Sequence, residues 1–247
     1  MSETYDVIIV GGGPAGLSAA LVLGRCRRSL VLYDDGRPRN RTSPAAHCLL
    51  GNEGIAPSEL IAKSRLELRE YERVVLLDDK VLSIKKADSG FSTTCEGGST
   101  ATARKLLLTT GLKDQIPKIE GVERLYGRSV HHCPYCDGFE YRDKPLAIYG
   151  KGDKGAGFAL MMKQWSSAVI LCTDGSTTFS PEMQSRLEQH GVVIRPEGVA
   201  ALEGENEGHL QRICFTDGQV VERAAMFFTT GCSQRSDLWE RLACKTR

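Results

Sequence analysis

Apolar residues in this chain fall into short unbroken runs, and two of these runs are each followed by a glycine cluster and then by apolar positions at helical spacing. Residues 6–10 form such a run and end in glycines, which suits a strand covered on both faces of a parallel sheet. Residues 14–26 carry the helical spacing and residues 30–33 form a second buried run, so the segment spells strand, helix, strand. Arg, Asn, Pro, Ser and Gly dominate 37–57, which reads as a loop. Residues 58–71 are predicted as an amphipathic helix. Strands are predicted at 74–85, 90–96 and 103–108, with Gly97 and Gly98 as a turn between the last two. Past Pro117 the pattern restarts: a loop through Gly121, an apolar run at 146–149, glycines at 150–155, a helix to about Trp165, and a strand at 169–172. A helix at 182–190 and strands at 192–195, 211–216 and 224–229 follow. Each half closes on an apolar strand and Thr-Thr-Gly, at 109–111 and 229–231, and this repetition predicts two nucleotide-binding-type domains, 1–112 and 113–247.

Composition narrows the function classes without changing the fold. With 41% apolar and 26% charged residues among 247, the chain reads as an ordinary globular protein. A formal net charge of +1 offers no concentrated basic field for nucleic acid or an anionic membrane, so neither is an expected partner. The polar start at 1–6 lacks the shape of a secretory signal, and no apolar stretch approaches the roughly 20 residues of a membrane span, so a cytoplasmic location is expected. Seven of the nine cysteines are scattered without shared spacing, which argues against a structural disulfide framework.

The first glycine set is Gly11-Gly12-Gly13-Pro14-Ala15-Gly16, placed directly after a buried strand and opening a helix. Gly11 permits the tight turn, Gly13 lets backbone amides approach a pyrophosphate, and Gly16 lets the helix lie close on the sheet. The helix N-terminus with its unpaired amides favours the phosphate charge. Asp34, with Asp35 as the register alternative, is placed to accept hydrogen bonds from an adenosine ribose. Arg37, Arg39, Asn40 and Arg41 at the mouth of this site would pair with pyrophosphate or adenine, or else form a solvated basic loop.

Cys133-Pro134-Tyr135-Cys136 is a C-x-x-C, a spacing that lets two sulfurs meet across one turn and that in such a protein means reversible dithiol–disulfide chemistry. A zinc site is disfavoured and no metal is expected, because no second ligand pair exists and His131, His132 and the cysteines would crowd four ligands into six consecutive residues. Asp137 is either a proton shuttle for the thiols or a turn residue before Gly138, and a protonated His131 or His132 would favour a neighbouring thiolate. The second glycine set, Gly150-Lys151-Gly152-Asp153-Lys154-Gly155, reads as a nicotinamide-dinucleotide site. After its second strand come Thr173, Asp174, Gly175 and Ser176 with no arginine, so NADH is expected to be used in preference to NADPH.

In their order along the chain, residues 11–16, Thr109-Thr110-Gly111 and the 133–138 segment between two dinucleotide domains resemble the low-molecular-weight thioredoxin reductases. The 132–138 segment looks most like the branch that includes small-molecule dithiol oxidases and reductases. The resemblance implies an α/β fold with two Rossmann-like dinucleotide-binding domains, FAD on the first with Thr110 and Gly111 at its site, and an inserted NAD(P)-type domain. It also implies Cys136 as the sulfur that exchanges electrons with the flavin, Cys133 as the attacker of the substrate disulfide, Asp137 as acid/base, and a homodimer. His47 is a candidate for reaching the flavin ring, or a satisfied loop histidine. The expected substrate is a thioredoxin-like protein or a small-molecule disulfide; the same parts run backwards would make an oxygen-using dithiol oxidase, and a flavin-poor binding module is the non-enzyme alternative. Family members continue into a returning Gly-Asp segment that completes the flavin site. Here only 232–247 follow Gly231, so that segment is expected to be absent and FAD retention to be weak.

Overall fold

The computed structural model describes residues 4–87, 90–175, 177–205 and 208–245, so Ser176 of the second ribose loop lies outside the described residues. Contacts divide the chain into two compact units, one from Met1–Arg41, Pro57–Lys113 and Ser233–Arg247, the other from Thr42–Ala56 and Asp114–Cys232. The sequence expectation of a single break after 112 groups two pieces otherwise: 42–56 goes with the second unit and 233–247 with the first.

In the first unit β1 (Thr4–Val10), α1 (Pro14–Arg25), β2 (Leu30–Tyr33), α2 (Pro57–Leu68) and β3 (Val74–Leu77) lead into a meander of β4 (Val81–Ala87), β5 (Gly90–Cys95) and β6 (Thr100–Leu108). The sheet order is β3-β2-β1-β6-β5-β4. Strands β1, β2, β3 and β6 run parallel and β4, β5 and β6 pair antiparallel. All four residues of β2 are buried, as are Ile8, Ile9 and Val10, which is why these runs show no polar alternation. Helix α1 begins at Pro14, whose fixed φ suits the first helical position, and buries Gly16, Leu17, Ala20 and Gly24 as one stripe. The single strand expected at 74–85 is two strands. Asp79 causes the break: its carboxylate accepts from the amides of Lys80 (2.8 Å) and Gly97 (2.9 Å) and from the Ser99 hydroxyl (2.6 Å), so the chain turns there.

β7 (Leu112–Asp114) carries the chain onward to α3 (Val122–Leu125), β8 (Val130–His131), the single-turn α4 (Pro134–Asp137) and a 3₁₀ turn (Phe139–Tyr141). Then follow β9 (Leu146–Tyr149), α5 (Gly152–Met162), β10 (Val169–Cys172), α6 (Pro181–Gln189), β11 (Val193–Arg195), β12 (Val199–Gly204), β13 (Leu210–Phe215), β14 (Val220–Glu222) and β15 (Ala225–Phe228). A parallel sheet of order β11-β10-β9-β15-β8 forms the second unit's centre, and β12-β13-β14 is a separate antiparallel sheet. β12 and β14 were not expected from the apolar pattern; they exist through pairing with β13. Last come β16 (Cys232–Gln234) and α7 (Leu238–Arg241). Leu238 and Leu242 are buried in one core with Ile8, Val10 and Val31, so the chain after Gly231 does return to the first unit. No described helix is long and apolar enough to cross a membrane.

Candidate active site

In the first unit the glycine turn has the close contacts that a dinucleotide loop requires. Gly11 has φ +109°, and a side chain there would meet the Thr109 carbonyl oxygen at 2.2 Å. At Gly16 a Cβ would lie 1.9 Å from the Gly11 carbonyl oxygen, whereas at Gly13 it would meet nothing within 4 Å. The helix and turn are therefore locked while Gly13 at the start of α1 stays open, and α1 has no acidic residue in its first turn, which suits an anion there. Thr109, which sequence reasoning passed over in favour of Thr110 and Gly111, ties β6 to the turn by donating to the carbonyls of Val10 (3.0 Å) and Gly11 (2.8 Å). Asp34 accepts from the Gly12 amide at 3.1 Å and has Arg65 of α2 at 4.0 Å. Asp35 is engaged elsewhere, by Arg235 at 2.8 Å and the Arg37 amide, which leaves Asp34 as the acid at the glycine turn. Arg235 was not foreseen, because nothing in the sequence shows that its segment folds back. Arg39 and Asn40 stand on the loop after β2, the first exposed and the second half-buried. The open turn at Gly13 and the carboxylate of Asp34 beside it are chemically suited to the pyrophosphate and adenosine end of FAD.

In the second unit Cys133 and Cys136 form a disulfide across α4, with their Cα atoms 5.4 Å apart. Cys133 occupies the position before the turn and Pro134 its first helical residue, so the proline that separates the cysteines also starts the helix. Next to the pair, His131 is buried; its Nε2 lies 2.9 Å from the Arg128 carbonyl and its Nδ1 3.3 Å from Asp137 Oδ1. Tyr141 donates its hydroxyl to the same Arg128 carbonyl, and burial with the nearby carboxylates pushes it up to about 12. His132 is the outward neighbour, with Nδ1 3.9 Å from Asp114. Loop 42–56 also reaches this turn: Cys48 donates its thiol to the Tyr135 carbonyl at 3.3 Å, and His47 bonds Glu53 (2.8 Å) and faces Glu140 (3.5 Å). The Glu53 hydrogen bond raises the His47 imidazole above its ordinary value, with Glu140 and Asp137 adding to it. By contrast, burial pushes the Cys172 thiol up to about 12, which makes it an inert core cysteine. No group of residues able to hold a metal occurs among the described residues.

The second glycine set repeats the first in its packing. A Cβ at Gly150 would meet Thr229 Oγ1 at 2.7 Å, and one at Gly155 would meet Gly150. The ribose end differs. Asp174 accepts from the Tyr149 hydroxyl (3.1 Å), and Lys151 Nζ reaches both its carbonyl (3.0 Å) and its carboxylate (3.3 Å). An arginine does stand close by in the fold: Arg195 on β11 pairs in register with Cys172, stacks 4.1 Å over Phe215 and bonds Glu197 at 2.8 Å. Asp153, in the first turn of α5, accepts from the Ser180 amide at 2.8 Å.

Two Rossmann-like units, one with a dinucleotide turn and one joining such a turn to a redox-capable cysteine pair, define a class of flavin-linked disulfide oxidoreductases. Residues 5–247 match the pyridine nucleotide-disulphide oxidoreductase family, and the chain belongs to that family, in its thioredoxin-reductase-like branch. It is 31% identical to a probable thioredoxin reductase of Arthroderma benhamiae over 96% of its own length and 66% of the relative's. A thioredoxin reductase of Aspergillus oryzae is 30% identical, over 96% of this chain and 78% of that protein. Among solved structures, a putative thioredoxin reductase from Bacillus anthracis superposes with a TM-score of 0.93 at 31% identity, covering 98% of this chain and 81% of that one. The chain thus spans about two thirds of the length of the first of these relatives. The family implies FAD and a nicotinamide cofactor.

Proposed function

We propose that this chain is the working part of an FAD-dependent disulfide reductase that passes electrons from a reduced nicotinamide to a protein or small-molecule disulfide. The observation that carries this reading is the Cys133–Cys136 disulfide on a one-turn helix beside His131 and Asp137, in a family whose relatives are named thioredoxin reductases. FAD, when bound, supplies two-electron exchange with a dithiol; the amides of 11–16 and Asp34 would hold its pyrophosphate and adenosine end. Cys136 is assigned to the flavin side, Cys133 attacks the substrate sulfur, and Asp137 holds and delivers the proton. A second copy of the chain is the proposed assembly partner and the cytoplasm the proposed location.

For the nicotinamide, NADH is proposed to serve at least as well as NADPH. The reading is supported by Asp174, a carboxylate after β10 at the expected ribose end that would repel a 2′-phosphate although Lys151 contacts it, and by Arg195 being paired with Glu197. Comparing kcat/KM for the two nucleotides tests this, and a clear preference for NADPH overturns it. The weaker dinucleotide signature of the second turn, with Asp153 in the first turn of α5 and Asp174 after β10, supports a second reading in which a dithiol is oxidised and oxygen receives the electrons. Anaerobic mixing separates the two: bleaching of the flavin absorbance by NADH or NADPH supports the reductase, and bleaching by dithiols alone supports the oxidase. A purified protein with no flavin absorbance and no binding of added FAD would leave only a binding module.

A further inference from the structure

Two acids in a row leave the end of β2, and only one of them contacts the glycine turn. β1 lies between β2 and β6 in the sheet, so the turn that leaves β1 is flanked by the chain leaving each neighbour. On the β6 side Thr109 bonds the Gly11 carbonyl, and Gly111, two residues on, accepts from the Arg235 amide at 3.1 Å. On the β2 side the Asp34 carboxylate accepts from the Gly12 amide at 3.1 Å. Asp35, next in the chain, accepts from the Arg235 guanidinium at 2.8 Å and from the Arg37 amide at 3.3 Å. The same guanidinium donates to the Arg37 carbonyl. One residue of the segment after Gly231 thus joins the chain leaving β6 to the chain leaving β2, on either side of the turn, and all of these residues belong to the first unit. The ion pair is half-buried, with side chains 28% and 29% exposed, so it is screened less than a pair in open solvent.

The ligand that the turn suits is an anion, held by the open amides at the start of α1. A carboxylate close to that anion works against it unless a cation offsets the charge. Asp34 is offset in part by the Gly12 amide and by Arg65 at 4.0 Å. Asp35 has Arg235 as its cation. We propose that Arg235 is a positioning residue of the dinucleotide site: it holds the Asp35 carboxylate in an ion pair and cancels its charge beside the turn, so that the pyrophosphate of FAD meets a single acid, the one placed for the ribose. The proposal rests on the reading of the first unit as the FAD site. It gives the segment after Gly231 a part in cofactor binding that is separate from the burial of Leu238 and Leu242.

The test separates charge from packing. The full chain is titrated with FAD and followed by flavin fluorescence at about 0.01 M and about 1 M salt, where the screening length is roughly 30 and 3 Å. For Arg235→Ala and Arg235→Gln, affinity relative to the unsubstituted chain is expected to fall about five-fold or more at the low salt and by less than about two-fold at the high salt. Arg235→Lys keeps a cation for Asp35 and is expected to stay within about two-fold of the unsubstituted chain at both. Asp35→Asn is expected to bind FAD at least as tightly as the unsubstituted chain, and adding it to Arg235→Ala is expected to restore most of the lost affinity. A packing role gives the opposite pattern, because a lysine cannot reproduce the two-acceptor fork of the guanidinium and the loss of a strut does not depend on salt. A deficit that is the same at both salts, or a double variant that binds no better than Arg235→Ala, overturns the proposal. If the unsubstituted chain binds no FAD at either salt, the FAD reading itself is wrong and the proposal falls with it, a failure visible before any variant is compared. Should Arg235→Ala fail to fold, Arg235→Gln decides.

Discussion

At the scale of single residues, burial separates a reactive sulfur from an inert one. Cys136 is exposed at the end of a short turn, while Cys172 lies in the core with its thiol pushed up to about 12. Cys136→Ser and Cys133→Ser are each expected to lower disulfide turnover by at least about a thousandfold, the scale seen when a covalent nucleophile is lost. Cys172→Ala is expected to leave it nearly unchanged. Full turnover in both redox variants would remove the pair from the mechanism. His47 adds a pH dependence. Its folded pKa is raised, so its contribution to stability is complete below the unfolded value and is lost as pH rises through the folded one. Loop 42–56 is accordingly expected to become more susceptible to limited proteolysis from mildly acidic to alkaline pH. His47→Gln should show no such trend.

At the scale of elements, the two strand–turn–helix units look alike in sequence but differ where charge matters. The first turn of α1 carries no acid, whereas α5 carries Asp153 there. In the first unit, packing and ligand approach fall to different glycines. Gly16→Ala forces a methyl against the Gly11 carbonyl and is expected to cost about 1–3 kcal/mol of stability in denaturant unfolding, with FAD affinity falling alongside. Gly13→Ala has open room and an ordinary φ of −72°, so it is expected to stay within about 0.5 kcal/mol of wild type. Flavin-fluorescence titration is expected to show weaker FAD binding in Gly13→Ala too. Equal stability losses in the two variants would contradict this division.

At the scale of the whole molecule, each unit's core is built from segments far apart in sequence. Leu238 and Leu242 reach the core of the first unit from the last described helix and loop, and each is almost fully buried. Leu238→Ala is expected to destabilise that unit by about 2–5 kcal/mol. The two tryptophans make this separable, because Trp239 lies on α7 and Trp165 belongs to the second unit. In Trp165→Phe and Trp239→Phe backgrounds, the Leu238 substitution is expected to move the unfolding midpoint reported by Trp239 more than that reported by Trp165. Equal shifts would show the two units unfolding as one.

Local pattern alone determined the two βαβ units, their glycine turns, Asp34 at the end of the second strand and the cysteine pair, because each is written in consecutive residues with a period or spacing that physics restricts. Helix α6 and strands β10, β11, β13 and β15 were legible in the same way. Tertiary structure decided what depends on residues meeting from a distance. Arg235 claims Asp35 across 200 positions. His47 and Cys48 join the cysteine turn from a loop 87 positions upstream of Tyr135. Arg195 comes level with Cys172 through strand pairing, and 233–245 fold back to the first unit although their short sequence carries no strong period. Even the near neighbours His131 and Asp137 come within 3.3 Å of one another only once the chain turns, because a contact is fixed by where side chains point, and sequence order does not record direction.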